Sequence, residues 1–131
     1  MNGEDVLVSS LELRRIAATL EANGRPPRVI KGERTPDYES FLNELRLTVP
    51  LDPPLTTGNS LNAMSDSIGG GVYVDTPAPI MWDAAWIFRD AQDGALFEEI
   101  VDVFRAVQRT ALLPAPAGLG IDLTVLVADR P

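Results

Sequence analysis

Ile121-Asp122-Leu123-Thr124-Val125-Leu126-Val127-Ala128 is the stretch that decides the fold class. It is nearly all apolar and rich in β-branched residues, as expected of a central strand covered on both faces. Strands of this kind belong to parallel sheets, in which neighbours are joined by right-handed helical crossovers. Two further apolar runs lie upstream. Ile80-Met81-Trp82 reads as a strand, with Trp86-Ile87-Phe88 as the segment leaving it, and Arg28-Val29-Ile30-Lys31 reads as a short strand between Pro26-Pro27 and Gly32.

Helical periodicity fills the intervals. Ser9 and Glu12 have capping-box spacing, and Leu13, Ile16, Ala17 and Leu20 then recur at i, i+3, i+4 and i+7 until Asn23-Gly24, which predicts a first helix that looks like an appendage. Thr35 and Pro36 are placed as N-cap and first helical residue of a second helix, whose inner face is Tyr38, Phe41, Leu42 and Leu45. The run Val49-Pro50-Leu51-Asp52-Pro53-Pro54 predicts an extended, exposed connection, because proline lacks the N–H and restricts its predecessor. Leu61, Met64 and Ile68 mark a third helix, with Gly69-Gly70-Gly71 as its terminator. The triple glycine has neither the following lysine nor the strand-before, helix-after context of a phosphate loop. Asp93 is placed as the cap of a strong helix that turns Leu96, Phe97, Ile100, Val101, Phe104 and Val107 inward and Glu98, Glu99, Asp102 and Arg105 outward, until Pro114 and Pro116 end it.

The predicted fold is therefore α/β: a small three-layered domain over residues 27–131, with a three-stranded parallel sheet packed with helices, preceded by an N-terminal helical extension over residues 1–26. A length of 131 residues and an apolar content of 45% suit one compact domain with its own core.

Composition narrows the chemistry. The chain has no cysteine and no histidine, which removes disulfides, thiol catalysis, Ser-His-Asp chemistry and the commonest metal ligands, so no metal and no cofactor is expected. Eleven bases against nineteen acids give 11 − 19 = −8, the wrong sign for binding nucleic acid or an anionic membrane. The imbalance is local: residues 50–104 carry nine acids and only Arg89, hence −8, while the flanking segments nearly cancel. A field of that sign steers association with a basic partner. The acids in Met1-Asn2-Gly3-Glu4-Asp5 stand where a secretory leader has bases, so the expected location is the cytoplasm.

Asn62 and Asp66 lie four residues apart, on one face of the third helix, away from Leu61, Met64 and Ile68. Two carboxylates there would suggest glycoside hydrolysis or metal binding, but an amide can serve neither as general base nor as nucleophile, and no catalytic residue is named.

Gly58-Asn59-Ser60-Leu61-Asn62-Ala63-Met64-Ser65-Asp66 resembles the helix signature of the barstar family, intracellular inhibitors of the ribonuclease barnase, in which a glycine precedes a Leu-Asp-Ala-x-x-Asp type helix. The flanks agree in order. Val29 to Glu33 is similar to the family's first strand and turn, Pro79 to Trp82 to its second strand, Val103-Phe104-Arg105 to its last helix, and Leu123 to Val127 to its final strand. The resemblance implies a non-enzymatic immunity protein that plugs the active site of a basic secreted nuclease in a one-to-one complex. It places the partner contacts on Thr56, Thr57, Gly58, Asn59, Asn62, Ser65 and Asp66. Within that pattern Asn62 stands where the family has its first helix aspartate, Thr56 and Thr57 replace aromatics, and Asp66 is the matching acid. The alternative implied role is an adaptor or regulatory domain that binds a protein other than a nuclease.

Overall fold

The computed structural model describes residues 5–52, 55, 61–74, 78–92, 94–118 and 120–131, with the side chains of residues 62 and 72–74 outside that description. The elements run β1 (Leu7–Ser9), α1 (Ser10–Ala22), β2 (Arg28–Lys31), a 3-10 turn (Gly32–Arg34), α2 (Tyr38–Thr48), α3 (Leu61–Val74), β3 (Ile80–Asp83), α4 (Trp86–Ala91), α5 (Gly94–Leu112) and β4 (Val125–Arg130). The sheet has the order β1-β4-β3-β2, and every pair is parallel.

It has four strands where the sequence predicts three. The added strand is Leu7–Ser9, which pairs with β4 through Leu7 opposite Val127, and just before it the Val6 carbonyl accepts the Val127 N–H at 2.7 Å. Three residues are too few to show the alternation by which strands are recognised. The apolar octet also pairs later than expected, since β4 begins at Val125 and ends at Arg130.

The two faces of the sheet follow from the two-residue period of a strand. Ile80 and Trp82 of β3, with Val125 and Val127 of β4, point to one side, where Phe41, Leu42 and Leu45 of α2, Met64 and Ile68 of α3, Phe88 of α4 and the inner face of α5 meet them. Met81, Leu126, Ala128 and Val8 point to the other side, where α1 covers them with Leu13, Ile16, Ala17 and Leu20. Three layers result, with α1 covering one side, where Trp86 at the start of α4 joins it, as the parity of β4 requires. Within the larger core, Trp82 is fully buried, with ring centroids 4.6 Å from Phe41, 5.5 Å from Phe88 and 5.7 Å from Phe97.

The first helix starts as its sequence predicts. The Ser9 hydroxyl accepts the Glu12 N–H at 3.1 Å, and Gly24 takes the left-handed conformation, φ +73°, just beyond the C-cap Asn23. The second helix does not. Its N-cap is Asp37, in a reciprocal capping box with Ser40, and Thr35 lies buried before it. The reason is the indole of Trp82, whose Nε1 donates to Thr35 Oγ1 at 3.1 Å, while that hydroxyl donates to the Gly32 carbonyl at 3.2 Å. A buried N–H needs an acceptor, and Thr35 is held in place to provide one. Trp86-Ile87-Phe88 begins the short helix α4. Asp93, the expected cap of α5, lies outside the described residues.

Candidate partner-binding face

Among its described side chains and glycines, helix α3 turns four residues inward. Met64, Ser67, Ile68 and Gly71 are buried at i, i+3, i+4 and i+7, against α5 and the core. The opposite side is left to solvent by the same geometry: Asp66 is exposed and Ser65 half-buried. Of the other expected contacts, Asn62 lies in the first turn with its side chain outside the described residues, and Thr56, Thr57, Gly58 and Asn59 lie outside them as well.

The expectation that Gly69-Gly70-Gly71 ends this helix is overturned, since α3 continues through all three to Val74. Their role is close packing. A Cβ on Gly70 would stand 1.8 Å from the Asp52 carbonyl oxygen, and one on Gly71 would stand 1.8 Å from that of Pro50. Glycine costs helix stability, but only glycine admits another backbone at this distance. The connection after α2 is accordingly packed rather than fully exposed. Val49 is buried, Leu51 is half-buried against the core, and the Asp52 N–H donates to the Ser67 carbonyl at 2.9 Å. Its Pro53 and Pro54 lie outside the described residues. The Asp52 side chain remains exposed beside α3.

The other flank of α3 is built by the chain after α5. Pro116, Ala117 and Gly118 form the far wall of a groove of about 410 Å³, Ser65, Asp66 and Gly70 form the near wall, and Val107, Thr110 and Ala111 of α5 lie between. Among the described residues Asp66 is the one ionisable side chain lining it, and none of them pairs with its carboxylate. The sequence reading missed this wall. Its available signal was the run of small residues from Pro114 to Gly118.

Some other acids in the middle of the chain are engaged elsewhere. Asp83 Oδ1 accepts the Gly32 N–H at 2.7 Å and so joins β3 to the turn after β2. Asp102 pairs with Arg105 at 2.9 Å, which in turn lies 3.9 Å from Asp5. Asp75 lies outside the described residues. Among the described residues no group of three acids could hold a metal ion, and no helix is long and apolar enough to cross a membrane.

The chain is a small parallel α/β sandwich in which α3 exposes one carboxylate, Asp66, between two packed connections. Residues 25–128, 104 of the 131, match the family model described as Barstar (barnase inhibitor). The chain belongs to that family, whose members are non-enzymatic inhibitors. No curated protein matches it.

Proposed function

We propose that this chain is an intracellular inhibitor of a barnase-like ribonuclease, made in the same cell as its target and occupying the target's active site before export. Family membership supports the class of partner. The observation that carries the mode of binding is Asp66, an exposed carboxylate on α3 that no described cation neutralises. A nuclease cleft is cationic because it holds phosphates, and a carboxylate projected from a rigid helix can take a phosphate's place there.

In this reading Asp66 accepts charge-assisted hydrogen bonds from the nuclease, and Ser65 and Asn62 contact it along the same helix face. Thr56, Thr57, Gly58 and Asn59 extend that contact through the connection before α3. The surplus of acids in residues 50–104 raises the rate of encounter with a basic enzyme. The test is co-expression with a basic, ribonuclease-like product of a neighbouring reading frame. Relief of its lethality, with a one-to-one complex by light scattering, is the expected result. Undiminished lethality removes the proposal.

A further inference from the structure

The segment after α5 exposes what a fold ordinarily hides. Residues 112–117, Leu-Leu-Pro-Ala-Pro-Ala, are six consecutive apolar residues and all six are exposed, Leu112 at 60% and Leu113 at 44%. No charged residue occurs between Arg109 and Asp122, in a chain where charged residues make up 23%. The backbone holds this segment in place. The Gly118 N–H donates to the Pro114 carbonyl at 3.1 Å, the Gly120 N–H to Leu113 at 2.8 Å, and the Ile121 N–H to Ala111 at 2.7 Å. A Cβ on Gly118 would stand 2.0 Å from the Thr110 carbonyl oxygen, so the segment is clamped onto the last turn of α5. Contiguous exposed apolar surface with a polar rim marks sites of protein contact.

The clamp sets Pro116 and Ala117 across the groove from Ser65 and Asp66. We infer that residues 112–117 form an apolar shoulder of the ribonuclease-binding surface, which packs on a nonpolar patch bordering the nuclease's cationic cleft and selects which ribonuclease is held. The inference rests on the proposed function and deepens it by adding a second, uncharged contact. The occupant is the ribonuclease because Pro116 and Ala117, the end of the shoulder, share one groove with Asp66, whose carboxylate, the only ionisable group among the described residues that line it, invites a cation. A protein that reaches Asp66 along this groove passes over Pro116 and Ala117, and the stems of its arginines or lysines lie on apolar surface of this kind. The two contacts divide the work. Charge around α3 speeds encounter, whereas the shoulder, having none, prolongs residence.

The test measures association and dissociation rates on the immobilised ribonuclease-like product of the neighbouring reading frame at low and moderate salt, for the wild type, Asp66→Ala, the double variant Leu112→Ser/Leu113→Ser, and Ala117→Lys. The double variant is expected to dissociate at least about ten-fold faster at both salt concentrations, with the association rate changed less than about two-fold. Ala117→Lys keeps the test open should the double variant fail to fold, and is expected to weaken binding by at least about ten-fold. Wild-type binding combined with dissociation of the folded shoulder variants within about two-fold of wild type overturns the shoulder and leaves the proposed function standing. A wild-type protein that does not bind removes the proposed function and the shoulder together.

Discussion

A Cβ on Gly70 of α3 would stand 1.8 Å from the carbonyl oxygen of Asp52, the residue whose own N–H donates to Ser67 one turn earlier on the same helix. Two backbones are thus in direct contact at the base of the proposed binding face. The connection after α2 is seated against α3 before it leads into residues 56–60, the stretch proposed to meet the partner.

Replacing neighbouring glycines separates this contact from helix propensity. Gly69 faces open space, so Gly69→Ala should stabilise the protein by about 0.5–1 kcal/mol. Gly70→Ala gains the same propensity but drives a methyl into a backbone oxygen that cannot rotate away, and should destabilise by about 1–3 kcal/mol. Urea unfolding of both variants measures the difference; equal midpoints would show that the connection is not seated on α3.

Asp66→Ala should raise the dissociation constant of the ribonuclease complex by at least about 30-fold, or about 2 kcal/mol, as for a central charged contact. The side chain is exposed and without a described partner, so the folded protein itself should lose little stability. Calorimetry with an unchanged constant would take Asp66 out of the interface.

Thr35→Val keeps the shape of the side chain but removes the acceptor for Trp82 Nε1 in a site where both residues are fully buried. The unpaired indole N–H should cost about 1–3 kcal/mol, seen as a lower urea midpoint with near-native tryptophan fluorescence. A midpoint equal to wild type would show that the bond contributes nothing to stability.

Removing residues 1–26 strips β4 of one of its two parallel neighbours, β1, and uncovers Met81, Leu126 and Ala128. It also deletes Val6, Val8 and Leu13, all buried, whose burial contributes about 1.5–3 kcal/mol each. That sum rivals the whole stability of a small domain, and the shortened chain should be unfolded or aggregated by circular dichroism and sedimentation. A cooperative melt near the wild-type temperature would establish residues 27–131 as independently stable.

The Asp37 carboxyl sits below its ordinary value, chiefly because its carboxylate accepts the Ser40 N–H and then because it bonds the Ser40 side chain. A depressed folded value contributes stability that is present above the unfolded value of 3.8 and disappears as pH falls through the folded one. Asp37→Asn retains a capping oxygen but no charge, so its deficit relative to wild type should be present at neutral pH and disappear as pH falls below 3.8 and through the lower folded value. A deficit of the same size at both ends of the titration would show that the charge has no part in the cap.

Much of this architecture was legible because it depends on neighbours along the chain. The Ser9 cap, the stop at Asn23-Gly24, the inner faces of α2 and α5 and the two-sided burial of Val125 to Ala128 each follow from a local period or a local hydrogen bond. So does the outward position of Asp66, four residues from Asn62 and opposite Met64 and Ile68. Charge likewise needs no coordinates, since the excess of acids in residues 50–104 is a count.

Other features depended on residues far apart in sequence. Gly69-Gly70-Gly71 has the composition of a helix terminator, and only the approach of Pro50 and Asp52 makes it the middle of a helix. Thr35 has the character of an N-cap until an indole 47 residues away recruits its hydroxyl. Leu7–Ser9 is too short to announce a strand until β4 offers it a ladder. The groove beside Asp66 has one wall from α3 and another from residues 116–118, brought together by the packing of α3 on α5. Periodicity, caps and charge are properties of the chain read in order, and the amino-acid sequence determined those alone. Close approach, acceptor choice and edge pairing arise when distant segments share one core, and the tertiary structure decided them.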